Sequence, residues 1–429
     1  MANDPGASPD RPIDIVSIGE PMVEFNQTRP GEPGYLQGVP GNIGGAESPA
    51  RSFGGETYGD SSRSGADIHN REFRSPLAAS DTGGAAVAQL QGGGHQDLCV
   101  GPRNQDPTVH KKIPAEKNII SVMTFIVLFP QLIAGPIVLY THVRDELRSR
   151  TITLEGLERG MTVFIAGLAA KVLLANPLGA LYQDILGTPT ASAPAMWLAT
   201  LASVLQLYFD FAGYSSMAIG MGQMMGFRFP QNFNHPLSAR SMRDFWRRWH
   251  ITLSAWLRDY VYVPLGGSRK GEGRTIFNLF IVWFLSGFWH GADWNHILWG
   301  LWFFVFISLE RTRFGPFIEA RPRLGLLYAQ FVFFLSLPLF SYSSLAESGR
   351  HFARMFSPVF HTDILYYLRG NGVLLLIAMV FCAPSVFRVI QSLFEKHAAL
   401  RVVAMGALML LSMAAPVNEA YNPFIYFRF

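Results

Sequence analysis

Long stretches without a charged side chain are the feature that most restricts how this chain can fold. A helix needs about 20 residues to cross a hydrocarbon core of roughly 30 Å, so charge-poor windows near that length indicate membrane-spanning helices. After residue 118, each of the following windows contains at most one charge: 119–140, 160–183, 185–209, 211–227, 275–292, Trp294–Leu309, 324–345, 370–387 and 402–418. They predict eight or nine membrane-embedded segments, of which 211–227 is short enough to be re-entrant or a tightly packed helix.

Charge and cysteine content exclude several classes of protein. Only 15% of the residues are charged, against roughly a quarter in soluble domains, and the net charge of +4 gives no basis for nucleic-acid binding. Cys99 and Cys382 are the only cysteines and lie far apart, so neither a disulfide framework nor a cysteine metal site is supported. The N-terminus lacks a basic start followed by an apolar run, so no targeting peptide is predicted.

The distribution of basic residues predicts a topology. Arginine clusters at 144–150, 240–258, 269–274 and 311–323 separate the apolar segments and are expected on the cytoplasmic side. That arrangement requires 275–309 to enter the membrane and return as a deep hairpin. Nothing has the alternation of a β-barrel, so the predicted fold class is an all-α membrane protein, a polytopic helical bundle over residues 116–429. Residues 1–115, rich in turn formers, are predicted to be largely irregular.

His290 is the most informative titratable residue, because ionisable side chains at membrane depth are costly and mark functional sites. It follows Trp289 at the end of an apolar segment, and Gly291 after it permits close approach of a substrate. An imidazole placed there could act as a general base. A helix-packing histidine hydrogen-bonded to a carbonyl is an equally open interpretation. A metal site through His290, Asp293 and His296 is weaker, since those spacings converge poorly on a helix.

A second candidate region surrounds His250. If 243–258 is one helix, Arg243, Arg247 and His250 share a stripe that could hold an anionic group. The alternative is a membrane-surface helix whose arginines meet lipid head groups. Asp210 is expected to pair with one of these arginines. The chain lacks a Gly-x-Ser-x-Gly elbow, a Walker A loop and a His-Glu-x-x-His motif.

Five motifs in fixed order resemble one family. They are FPQLIAGP (129–136), QLYFDFAGYS (206–215), DFWRRWHI (244–251), WHGA (289–292) and NPF (422–424). Together they span about 300 residues and resemble the membrane-bound O-acyltransferase (MBOAT) family, most closely its alginate O-acetylation branch.

The resemblance implies a multi-pass enzyme of the bacterial inner membrane, with His290 catalytic and His250 nearby. Such enzymes bind no cofactor; they move an acetyl group from a thioester donor, such as acetyl-CoA, to hydroxyls of an exopolysaccharide such as alginate, with periplasmic partner proteins. We expect four residues to contact substrate: Arg243, Arg247, Trp289 and Asn295. Asp210 and Gly291 are expected to support the site structurally. No metal is predicted.

The front of the chain departs from that family, whose members begin with several membrane helices before the FPQLIAGP motif. Within 12–42, the segments DIVSIGEP (14–21) and PGYLQG (33–38) weakly resemble the start of ribokinase-like sugar kinases. The Gly-Ala-Gly-Asp motif of those kinases is absent, which argues against sugar phosphorylation. Two alternatives therefore accompany the O-acyltransferase prediction: an inactive truncated or fused remnant, and a multi-pass transport component.

Overall fold

The computed structural model describes residues 116–132 and 135–415, and this part of the chain is helical without a β-strand. The all-α prediction is confirmed for it. The predicted irregular region 1–115 with its kinase-like segment, residues 133–134 of the FPQLIAGP motif and the NPF motif lie outside the described residues.

Fifteen α-helices occur within the described residues. The first seven include the longest helix, α5, and are α1 Ile119–Ile126, α2 Tyr140–Arg148, α3 Leu154–Ala169, α4 Asn176–Gly187, α5 Ala193–Met224, α6 Met242–Trp246 and α7 Ile251–Leu257. The remaining eight are α8 Glu272–His290, α9 Trp294–Leu309, α10 Phe314–Glu319, α11 Pro322–Phe340, α12 Leu345–Met355, α13 Asp363–Phe381, α14 Pro384–Lys396 and α15 Ala398–Ala414.

Four continuous helical stretches in the described residues are long and apolar enough to cross a membrane. They are Leu154–Gly187, Ala193–Met224, Pro322–Phe340 and Asp363–Phe381, and α9 and α15 are shorter apolar helices. The first stretch joins α3 to α4 through a π-helical segment, Ala170–Ala175. A multi-pass membrane protein is therefore supported, with fewer long spans than the eight or nine segments predicted.

One reason for the smaller number of long spans is that α5 is a single helix of 32 residues. The prediction of separate segments 185–209 and 211–227 is therefore wrong. Asp210, which interrupts the apolar run, pairs with Lys171 on the neighbouring π-helical segment. Helix α5 also packs closely on α3, because a Cβ at Gly213 or Gly220 would meet backbone oxygens of α3. Its buried side chains form the centre of the main hydrophobic core.

The second reason for the smaller number of long spans is that residues 119–140, predicted as one span, do not form one helix. Helix α1 ends at Ile126, a short 3₁₀ turn covers Phe129–Gln131, and α2 begins only at Tyr140. Proline lacks the N–H that a continuing helix requires. Pro130 and Pro136, both within this stretch, account for the interruption.

The predicted hairpin over 275–309 is present as α8 and α9, joined by residues 291–293. Two glycines allow the helices to touch. A Cβ at Gly287 would overlap the carbonyl oxygen of His296, and a Cβ at Gly300 would overlap that of Trp283. This close packing fixes His290, the last residue of α8, relative to α9.

Candidate active site

His290 lies in an aromatic enclosure built by three helices. Its ring centroid is 4.7 Å from that of Trp289, 5.0 Å from Trp299 on α9 and 5.2 Å from Phe340 on α11. All three contacts are edge-on, an arrangement favoured between aromatic rings. The residue as a whole is only partly exposed.

His250 reaches the same region through an unusual backbone conformation. The prediction of one helix over 243–258 is wrong, because α6 ends at Trp246 and α7 begins at Ile251. His250 stands between them with φ 43° and ψ 55°, in the left-handed region. The turn buries its side chain to 4% exposure, whereas Arg247 remains exposed. The predicted stripe of arginines and histidine on one helix face therefore does not form.

Both histidines line one small cavity of about 20 Å³, enough for roughly one water molecule. Its other walls are apolar and aromatic: Leu207, Phe211, Trp246, Trp249, Leu253, Trp299, Phe333, Leu337 and Phe340. The structure thus brings together the two residues that the sequence singled out separately.

The position of this cavity along α5 shows its depth in the bundle. Leu207 and Phe211 line it, and each is at least 13 residues from the nearer end of α5. At 1.5 Å per residue, about 20 Å of helix extends on either side. If α5 crosses the membrane, the cavity lies near the middle of the hydrocarbon core.

Asn232 anchors His250, and sequence reasoning missed this residue. Its Oδ1 lies 3.1 Å from His250 Nδ1, 2.9 Å from Thr252 Oγ1 and 3.3 Å from Thr252 N. Its Nδ2 donates to Ser215 Oγ at 3.1 Å, and its carbonyl accepts from Ile251 N at 2.9 Å. Asn232 lies in a polar loop rather than in an apolar window, so the search for charges at membrane depth could not find it.

Asn232 also lines a second, larger cavity of about 300 Å³. Uncharged polar side chains make up half of its lining: Ser215, Ser216, Gln223, Gln231 and Asn232, with Val163, Ala212, Ile219, Phe229 and Phe233 as the apolar part. Asn232 therefore contributes to this polar cavity while holding a histidine of the apolar one.

Two of the predicted substrate-binding residues have partners elsewhere in the protein. Arg243 Nε is 3.2 Å from the buried carboxylate of Glu310, and its Nη2 is 3.0 Å from Glu319. Asn295 Nδ2 donates to the carbonyl of Tyr342 at 2.7 Å and to Ser348 Oγ at 2.9 Å. Both side chains hold the bundle together in this structure.

The other predicted site residues divide between the site and its support. The ring of Trp289 lies 6.2 Å from that of His250 as well as 4.7 Å from that of His290, so it borders both histidines. At Gly291, a Cβ would come within 2.6 Å of His296 Nδ1, which explains the glycine.

Asp210 supports the bundle, but its predicted pairing with an arginine is wrong. Its Oδ1 is 2.5 Å from Lys171 Nζ, and both side chains are largely buried. Among the described residues, no group of three histidine, cysteine or carboxylate side chains has the geometry of a metal site.

Comparison with known proteins gives a consistent result. The family model of the membrane-bound O-acyltransferases matches residues 107–317, which include Asn232, His250 and His290. The chain is 45% identical over 199 residues to the "Probable alginate O-acetylase AlgI" of Pseudomonas putida, covering 46% of this chain and 41% of that protein.

More distant relatives act on other polymers, according to their names. A peptidoglycan O-acetyltransferase of Helicobacter pylori is 41% identical over 201 residues, 46% of this chain and 38% of that protein. A teichoic acid D-alanyltransferase of Bacillus subtilis is 30% identical over 223 residues, 48% of this chain and 53% of that protein. The chain thus spans about half or less of the length of these relatives.

Proposed function

We propose, from the premise that this chain carries a membrane-bound O-acyltransferase domain over residues 107–317, that it transfers an acyl group onto a hydroxyl. The group is an acetyl group, and the acceptor is an exopolysaccharide such as alginate at the bacterial inner membrane. The observation that carries the proposal is the cavity shared by His250 and His290 in the core of an apolar helical bundle.

In the proposed reaction His290 acts as the general base. The acceptor hydroxyl oxygen attacks the carbonyl carbon of a thioester, and its proton passes to an imidazole nitrogen of His290. The tetrahedral intermediate then collapses, the carbon–sulfur bond breaks, and the imidazolium returns the proton to the departing thiolate. The products are an ester and a free thiol. Apolar walls exclude bulk water, which would otherwise compete with the hydroxyl as nucleophile.

The shared cavity of about 20 Å³ is too small to hold the substrates, so they must approach the two histidines from outside it. Trp289, which borders both histidines, is the predicted substrate contact best supported by geometry. Arg247, which is exposed, can meet an anionic part of the donor or the polymer only at the protein surface. The donor is a thioester such as acetyl-CoA, consumed as a co-substrate, and separate periplasmic proteins complete polymer acetylation.

The test is acetylation in cells that make an exopolysaccharide but lack their own O-acetylase. The full chain, its His290→Ala variant and its His397→Ala variant are expressed at equal membrane levels, and base-labile acetate is measured on the purified polymer. His397 is exposed and provides a matched histidine control. We expect acetate with the full chain and His397→Ala, and a loss of at least about 100-fold with His290→Ala.

Two outcomes contradict the proposal in different ways. Normal acetylation by His290→Ala removes the catalytic role of His290 and leaves the activity intact. No acetate above background with the unaltered chain, despite normal membrane levels, removes the activity of this chain altogether.

A further inference from the structure

We propose that Asn232 is a positioning residue that holds His250 as the tautomer protonated at Nδ1, so that Nε2 presents a lone pair to the shared cavity. The proposal rests on the proposed function for its chemical meaning. Its central claim, the proton position on His250, is measurable without any activity.

The backbone N–H of Thr252 fixes the orientation of the Asn232 amide, because this group can donate a hydrogen bond but cannot accept one. The backbone N–H of Thr252 points at Asn232 Oδ1 at 3.3 Å, and a backbone N–H can only donate. If the amide were turned over, its NH₂ group would face this N–H and the hydrogen bond would be lost. The atom facing Thr252 is therefore the carbonyl oxygen.

A second hydrogen bond supports the same orientation. Thr252 Oγ1 accepts from Ile137 N at 2.9 Å, which leaves its own hydrogen free to donate to Asn232 Oδ1 at 2.9 Å. On its other side, Asn232 Nδ2 donates to Ser215 Oγ at 3.1 Å. Oxygen and nitrogen of the amide are thus each matched to suitable partners.

The proton on His250 follows from this orientation. Its Nδ1 lies 3.1 Å from the same Oδ1, an atom that can only accept. Nδ1 must therefore carry the hydrogen. In a neutral imidazole the other nitrogen then has a lone pair, so Nε2 is an acceptor.

This tautomer gives His250 a defined role beside His290. The other walls of the shared cavity are apolar and aromatic. The donors that an acceptor nitrogen can meet there are a ring N–H of His290, the hydroxyl of the acyl acceptor and an indole N–H of a wall tryptophan. The opposite tautomer would offer a hydrogen in place of a lone pair. By fixing the proton on the far side of the ring, Asn232 orients the hydroxyl or His290 for proton transfer.

Asn232 also holds the backbone turn that carries His250. His250 adopts a left-handed conformation, which is strained for a non-glycine residue. Asn232 accepts from Ile251 N and Thr252 N, the two residues after the turn, in addition to His250 Nδ1. One asparagine thereby holds both the strained turn and the ring that the turn delivers.

The direct test is ¹⁵N NMR of the full chain in lipid with selectively labelled histidine. The chain has 11 histidines, and the signals missing from a His250→Asn variant identify those of His250. We expect a protonated Nδ1 and an unprotonated Nε2 for His250. A proton on Nε2, or rapid exchange between both tautomers, overturns the proposal whether or not the chain is an acyltransferase.

Variants of Asn232 test the consequence for catalysis. Asn232→Leu removes the acceptor oxygen at similar volume, whereas Asn232→Asp keeps an acceptor for Thr252 and His250. We expect Asn232→Leu to lower kcat at least about tenfold with KM changed less than about twofold, and Asn232→Asp to restore most of kcat. The matched controls are Asn234→Leu and Asn234→Asp, at an exposed asparagine two positions on, where kcat should not change.

The outcomes separate this proposal from the proposed function. Equal losses in both Asn232 variants, following the loss of folded protein, indicate a structural role and overturn positioning. If the unaltered chain transfers no acetyl group, the proposed function fails while the NMR result still decides the tautomer.

Discussion

Lys171 and Asp210 form an ion pair inside the helical bundle, with Nζ 2.5 Å from Oδ1 and both side chains largely removed from solvent. The lysine comes from the π-helical segment between α3 and α4, and the aspartate from the middle of α5. The pair joins the two longest helical stretches at the level of Phe211, which lines the histidine cavity.

Removing one member of this pair should destabilise the protein more than removing both. Asp210→Asn removes the carboxylate that pairs with the buried ammonium group of Lys171, and we expect a loss of roughly 3–5 kcal/mol. The double variant Lys171→Met/Asp210→Asn should recover most of that loss, because both charges of the pair are removed together. Thermal unfolding of the purified protein in detergent measures both. Additive losses in the double variant would contradict a direct pair.

The left-handed turn at His250 gives a prediction about stability. Asparagine tolerates this conformation and can still donate to Asn232, so His250→Asn should unfold within about 1 kcal/mol of the unaltered protein. His250→Val, which is β-branched, should lose at least about 2 kcal/mol. His235 also adopts the left-handed conformation, with φ 45°, so the same two substitutions can be compared there. Equal unfolding temperatures for the asparagine and valine variants at residue 250 would show that the turn carries no strain.

The α8–α9 contact should be sensitive to a single methyl group. Gly300→Ala would place a Cβ on the Trp283 carbonyl oxygen, forcing the helices apart and displacing His290. We expect lower thermal stability together with lost acetylation. Gly370→Ala on α13 is the control, since a Cβ there has no neighbour within 4 Å and alanine favours helix by up to about 1 kcal/mol. Similar effects at both glycines would exclude this close contact as the cause.

The region around α1 and α2 should loosen in acid. The backbone N–H of Asn118, the Tyr140 hydroxyl and the Arg148 guanidinium lower the pKa of Glu116 from 4.5 to about 2. A lowered folded-state pKa contributes stability that is present above pH 4.5 and is lost as the pH falls towards 2. The hydrogen-exchange protection factors of residues 119–126 and 140–148, which correct for the intrinsic effect of pH on exchange, should therefore fall across that window. In Glu116→Gln, these residues should exchange faster at neutral pH, and their protection should change little more as the pH falls. If their protection in this variant still fell in acid as in the unaltered protein, another group would be responsible.

The candidates His250 and His290 could be singled out from the sequence because each is an ionisable side chain within or next to an apolar run. Their convergence could not be predicted from periodicity. It depends on the left-handed turn at His250, where the sequence contains no glycine to signal one. The expectation of a single helix through Arg243 and Arg247 failed for that reason.

Partners distant in sequence explain the other failures. A window centred on Asp210 contains a charge and therefore divides α5, because the neutralising Lys171 lies on another helix. Asn232 was missed because its importance comes from Thr252 and Ser215, which reach it only after folding. The break in 119–140 could have been predicted, since Pro130 and Pro136 are visible in the sequence.

The length of α5 has a consequence for the surrounding lipid. Thirty-two residues extend about 48 Å, whereas the hydrocarbon layer measures roughly 30 Å. An upright α5 would project beyond the acyl chains, and a leaning one would bring more of its length among them. The thickness of the bilayer therefore influences the tilt of α5, the helix that contributes Leu207 and Phe211 to the histidine cavity.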